Sequence, residues 1–158
     1  MVLIALAVAD GLLIRQNMQM RRSLAAYSPK QLEVGPQVRP FTATALDGSA
    51  FGVSYTGAGP KKVMFYFTRT CPFCRQQFAT WRRILERVDA GRFEVIGLVD
   101  VAEDRPRLEE YLRAVGCGAD SPTPLRVAFL PKDVRRDYML TATPVTLLVS
   151  SDGKVEQN

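Results

Sequence analysis

Cys71 and Cys74, separated by two residues in TRTCPFCRQQF (68–78), are the side chains of this sequence best placed to do chemistry. That spacing serves a metal clip, a structural staple or a reactive dithiol, and the remaining residues decide between the three. The chain contains no histidine, which removes Ser-His, Cys-His and His-ligated zinc chemistry from within it. With Cys117 as the only other cysteine, a four-thiolate zinc site cannot be completed, and no metal is expected. A static bridge across so short a loop gains little chain entropy. A redox-active dithiol remains.

The elements around the pair explain how the thiols become reactive. VMFYFT (Val63–Thr68) is a continuous apolar run of strand length, as in a strand covered on both faces. From Cys71 onward Phe78, Trp81, Ile84, Leu85 and Val88 recur at helical spacing, with Arg75, Arg82, Arg83 and Arg87 on the other side. Thr70 is the expected N-cap, and Pro72 suits the first turn, where a missing N–H costs nothing. Cys71 then lies at the positive end of the helix, where unpaired N–H groups favour thiolate over thiol. It is the expected nucleophile, and Cys74 the resolving thiol that attacks the mixed disulfide. Cys117, in AVGCGAD, has no such setting and reads as a passive thiol.

Downstream, FEVIGLV (Phe93–Val99) is a second strand, RPRLEEYLRAVG a helix stopped by Gly116, and LRVAFL and PVTLLV two further strands. A hairpin is expected at FTATALDGSAFGV, giving a hairpin followed by β-α-β-α-β-β, an α/β domain over 41–158. VTLLVSSDGKVEQN reads as a strand, an Asp152-Gly153 turn and the start of another strand, so the C-terminal strand or helix is expected to be truncated. Residues 27–40, with Gly35, Pro36 and Pro40, read as a linker.

Residues 1–26 are expected to form an N-terminal membrane anchor or signal-like helix. The apolar run Val2–Ile14 is broken by Asp10 and is shorter than the roughly 20 residues a spanning helix needs, as at the clipped end of an anchor. A cleaved signal, with AVA (7–9) resembling its cleavage site, and a buried soluble helix are the alternatives. Arg15, Arg21 and Arg22 after the run oppose an outward-facing domain, since positive charge prefers the cytoplasmic side. The net charge of +5 (21 Lys and Arg, 16 Asp and Glu) is scattered and reads as a solvated basic surface rather than a site for an acidic partner or membrane face; no nucleic-acid motif accompanies it.

VMFYFTRTCPFC followed by TATPVTLLVSSDGKV resembles the thioredoxin superfamily, and within it the membrane-anchored TlpA/ResA-like (redoxin, AhpC/TSA-type) thiol-disulfide oxidoreductases. The resemblance runs from about Val34 to the C-terminus. It implies a thioredoxin fold, a central mixed sheet flanked by helices with an N-terminal hairpin extension. It also implies a cis Pro144 facing Cys71, where base rates alone favour trans, and a Thr143 backbone presented to an incoming peptide. Pro72 and Phe73 resemble the Cys-Pro-aromatic-Cys of glutaredoxins and disulfide isomerases and would line the substrate surface. The implied activity is dithiol/disulfide exchange with periplasmic protein clients, apocytochrome or a cofactor-maturation client among them. It would need no cofactor beyond the Cys71–Cys74 disulfide, would draw electrons from a membrane thiol donor, and would work on the periplasmic side of a bacterial inner membrane.

The chain departs from the family at several positions. Gln77 and Ala79 stand where relatives often carry an acid and a proline, and Thr70 and Phe65 where thioredoxins have tryptophan and a buried aspartate. The usual acid for deprotonating the resolving thiol is missing; Asp100 and Glu103 are the nearest candidates for a water-relayed proton, against an ordinary reading as solvated carboxylates. Two other functions compete. Thr68-x-x-Cys71 has the spacing of a thiol peroxidase, although Met64 replaces the peroxiredoxin proline, and a tethered chaperone or assembly factor would use the groove only for binding.

Overall fold

The computed structural model describes residues 10–21 and 32–158, and the chain divides into two compact units, Met1–Lys30 and Gln31–Asn158. In the first, residues 10–21 form a helix, α1, whose side chains are exposed. The anchor expected over 1–26 lies partly outside the described residues. Among those described, no helix is long and apolar enough to cross a membrane.

The second unit is built on one sheet with strand order β2-β1-β5-β4-β3-β6-β7. Its elements are β1 (Phe41–Ala45), β2 (Ala50–Val53), β3 (Lys61–Tyr66), α2 (Pro72–Arg87), β4 (Phe93–Asp100), α3 (Arg105–Ala114), β5 (Val127–Leu130), α4 (Lys132–Asp137), β6 (Val145–Val149) and β7 (Val155–Gln157). The β3–β4 and β4–β5 pairs are parallel; β6 lies antiparallel to β3, β7 to β6, and the β1–β2 hairpin joins the far edge antiparallel to β5. The sheet is therefore mixed, and the expected hairpin is present.

Period-two alternation along β3 explains the two cores. Met64 and Tyr66 enter one cluster with Ile96, Leu98, Val134 and Tyr138, on the α4 side. Phe65 and Phe67 enter the other with Cys74, Phe78, Trp81, Leu108 and Leu112, from α2 and α3. A strand covered on both faces has no polar positions to spare, which is why VMFYF is unbroken.

Two expectations shift. Residues 32–40 are part of this unit rather than a linker: Leu32 and Val38 are buried, and the segment runs beside the β6–β7 turn. Gly35 N donates to Val155 O, Val155 N to Pro36 O, and Val38 N to Gly153 O at 2.8–3.0 Å. Prolines 36 and 40 lack an N–H but do not prevent their neighbours from pairing. Gly153, at φ +89 with Val38 O 2.9 Å from where a Cβ would sit, suits both the turn and this close approach. The second shift is α4, six residues between β5 and β6 that were not anticipated, because one and a half turns are too few to show a helical period.

Candidate active site

Cys71, not Thr70, caps α2. Its backbone is extended (φ −83, ψ 114), and its own sulfur accepts the N–H of Cys74 at 3.3 Å. The cause is local: a residue preceding proline is pushed out of the helical region, so the residue before Pro72 must be the last non-helical one. The reactive sulfur thereby takes the place that a Ser or Asp oxygen holds in an ordinary cap, directly on the unpaired N–H groups of the first turn.

Trp81, in the middle of α2, anchors the helix to the sheet. Its ring stacks on Phe65 at 4.6 Å (9° between planes), and its Nε1 donates to Thr146 Oγ1 at 2.9 Å. Thr146 pairs with Phe65 across the β3–β6 ladder, and Val145 with Tyr66. One side chain thus ties α2 both to the strand that leads into the cysteine loop and to the strand that leaves the Thr143–Pro144 turn. The Thr143–Pro144 peptide is cis. Cys71 Sγ lies 3.6 Å from Thr143 O, so the structure brings Cys71, Cys74 and the Thr143–Pro144 segment together. Pro72 and Phe73 adjoin them but are exposed, Phe73 at 65%.

The two thiols have opposite environments. No cysteine of the chain is in a disulfide; Cys71 is partly exposed and Cys74 fully buried. Burial raises the Cys71 pKa, but hydrogen bonds from the Cys74 and Thr143 side chains and from the Cys74 and Phe73 backbone outweigh it and hold the thiol below its ordinary range. Burial, reinforced by the hydrogen bond to Cys71, pushes Cys74 up to about 11. Cys71 is thus the more acidic of the two thiols, and the inner one keeps its proton through the neutral range. Cys117 is 1% exposed and raised by burial, in keeping with a passive thiol.

Asp100 and Glu103 are not the solvated carboxylates expected. Asp100 accepts the Ala102 N–H at 2.9 Å and pairs with Arg135; the backbone bond first, then Arg135, hold its carboxyl below the usual range. Glu103, its side chain 11% exposed, pairs with Arg69 at 3.2 Å. Sequence reasoning also missed Tyr111. On α3 the buried face is marked by Leu108 and Leu112, and Tyr111 reads as their flank. Only the packing of α3 on α2 brings its ring against Phe78, at 5.6 Å, and Phe67, at 6.3 Å.

No family model matches this chain, and no curated protein matches it in sequence. Solved structures do resemble it. The thioredoxin domain of a thiol-disulfide oxidoreductase from Bacteroides vulgatus aligns with TM-score 0.65 at 16% identity, covering 79% of this chain and 86% of that one. StoA from Bacillus subtilis aligns at 0.60 and 15%, covering 77% and 88%. A secreted Mycobacterium tuberculosis disulfide oxidoreductase, homologous to DsbE, aligns at 0.58 and 17%, covering 75% and 84%. With the mixed sheet, the Cys71 helix and the cis-proline turn beside it, these likenesses establish that residues 32–158 have a thioredoxin-like fold.

Proposed function

We propose that the protein is a thiol-disulfide oxidoreductase that exchanges disulfides with protein clients through Cys71 and Cys74. The observation that carries this reading is the Cys71 sulfur serving as its own helix cap, with Cys74 buried behind it and the Thr143 carbonyl in front. Cys71 thiolate attacks a client disulfide, forming a Cys71–client bond and releasing one client sulfur as thiolate. Cys74 then displaces the second client sulfur, closing Cys71–Cys74 and leaving the client two electrons richer; the reverse sequence oxidises a client. The Thr143 backbone next to the Cys71 sulfur and the exposed Phe73 ring after it suit an extended peptide better than a small molecule. The names of the solved relatives, which include a secreted oxidoreductase, support protein clients outside the cytoplasm. A periplasmic domain, a membrane thiol donor, cytochrome-type clients and a cofactor-free reaction complete the proposal.

Reduction of insulin by dithiothreitol, with and without the protein, tests it. The protein should accelerate precipitation of the insulin B chain and should leave peroxide consumption with the same donor at the uncatalysed rate. The rate should climb with pH until the lowered Cys71 pKa is passed and then level, since deprotonation is what arms this thiol. Peroxide turnover without insulin reduction would instead make it a thiol peroxidase, and neither activity would leave a binding role.

A further inference from the structure

The Tyr111 hydroxyl is buried and has no hydrogen-bond partner among the described residues. Such groups are rare, because a desolvated donor left unpaired is costly. Its surroundings show what it awaits. The ring packs edge-on against Phe78, which lies one turn beyond Cys74 on the same face of α2. Tyr111 and Cys71 both border the cluster in which Cys74 is buried. Cys74 and Cys71 first, then Arg75 and Cys117, are the titratable groups that act on it electrostatically. Burial first, then the neighbouring Cys74 and Cys71, push the phenol up to about 12, so it keeps its proton through the neutral range and is available only as a donor.

We propose that Tyr111 is a catalytic residue that donates its O–H to the Cys74 sulfur as that sulfur becomes a thiolate and attacks the Cys71–client disulfide. The inference rests on the dithiol-exchange reading and adds a residue to it. In the step, the Cys74–Cys71 bond forms and the Cys71–client bond breaks. The client sulfur leaves with the electron pair of that bond and takes up, through solvent, the proton that Cys74 gave up. Tyr111 is unchanged at the end. A donor that is dry and unpaired turns toward negative charge developing in its own cluster and stabilises it without first giving up another partner. It supplies from the donor side what Gln77, neutral where relatives carry an acid, does not.

Stopped-flow reaction of the reduced protein with 5,5′-dithiobis(2-nitrobenzoate) separates the two steps, since thionitrobenzoate is released once by Cys71 attack and again by Cys74 resolution. Tyr111→Phe keeps the ring contacts and removes only the oxygen. The expected result is an unchanged first phase and a second phase slowed about tenfold to a hundredfold, its rise with pH displaced upward by about one unit or more. The reduced variant should unfold at the same or a higher denaturant concentration, because the hydroxyl has no partner to lose. An unchanged second phase, equal slowing of both phases, or a destabilised reduced variant each overturns the role of Tyr111. Absence of the first phase in the unaltered protein would sink the dithiol reading itself, so the two failures are distinguishable.

Discussion

Cys71→Ser is expected to lower the rate of insulin reduction by about a thousandfold or more, to the background of dithiothreitol alone, because no other thiol can take over the attack. Cys117 is 1% exposed and Cys74 wholly buried, its proton retained to about 11. Cys74→Ser should fail differently. Its Cys71 still attacks, so one equivalent of a client disulfide is captured and the mixed disulfide persists until an external thiol resolves it. Serine keeps the Cys74 backbone N–H that bonds the Cys71 sulfur and offers an O–H in place of the Cys74 thiol that also lowers the Cys71 pKa, so the first attack should persist at a comparable rate. Intact-mass analysis after a short exposure to an oxidised peptide distinguishes the two variants: adduct with Cys74→Ser, none with Cys71→Ser. Comparable turnover by Cys71→Ser and the unaltered protein would place the chemistry elsewhere.

The largest effect on stability is expected at Trp81. It is fully buried, stacked on Phe65, in contact with Phe67 and Phe78, and hydrogen-bonded to Thr146. Trp81→Ala should cost about 3–5 kcal/mol in equilibrium denaturation of the reduced protein, through lost burial and the cavity that rigid neighbours cannot close. Trp81→Phe, which preserves most of the ring area but not the N–H, should cost less, about 1–2 kcal/mol, and separates the packing contribution from the Thr146 bond. Because the same side chain fixes α2 against β6, both variants should also slow disulfide exchange. A loss below about 1 kcal/mol for Trp81→Ala would mean that this cluster is far looser than its ring distances imply.

What was legible in the sequence is what local chemistry dictates. The C-x-x-C spacing, the proline after the first cysteine and the unbroken VMFYF run place a thiol at a strand-to-helix junction without reference to any distant residue. Residue preference points to Thr70 as the cap, but Pro72 disfavours helical backbone at Cys71, and that stronger local rule sets the helix start. The cis Thr143–Pro144 bond was reachable only through family resemblance, since nothing in TATPV itself overrides the ordinary trans preference. Tertiary placement was not legible. The pairing of Asp100 with Arg135 and of Glu103 with Arg69 joins separate parts of the chain, as does the arrival of Tyr111 beside Phe78. Residues 32–40 differ from a linker because glycine and proline report a break in regular structure and say nothing about whether the segment is buried.

Equilibration of the protein across ratios of reduced to oxidised glutathione, followed by acid quench, thiol alkylation and peptide mapping, tests the account most directly. It predicts that Cys71 and Cys74 lose their thiols together in a single two-electron transition between about −300 and −120 mV, the span of thioredoxin-like dithiols, while Cys117 remains alkylatable at every ratio. If both thiols persist across that range, or Cys71 stops at a glutathione adduct that Cys74 never resolves, the pair is not a redox couple and the proposed function is wrong.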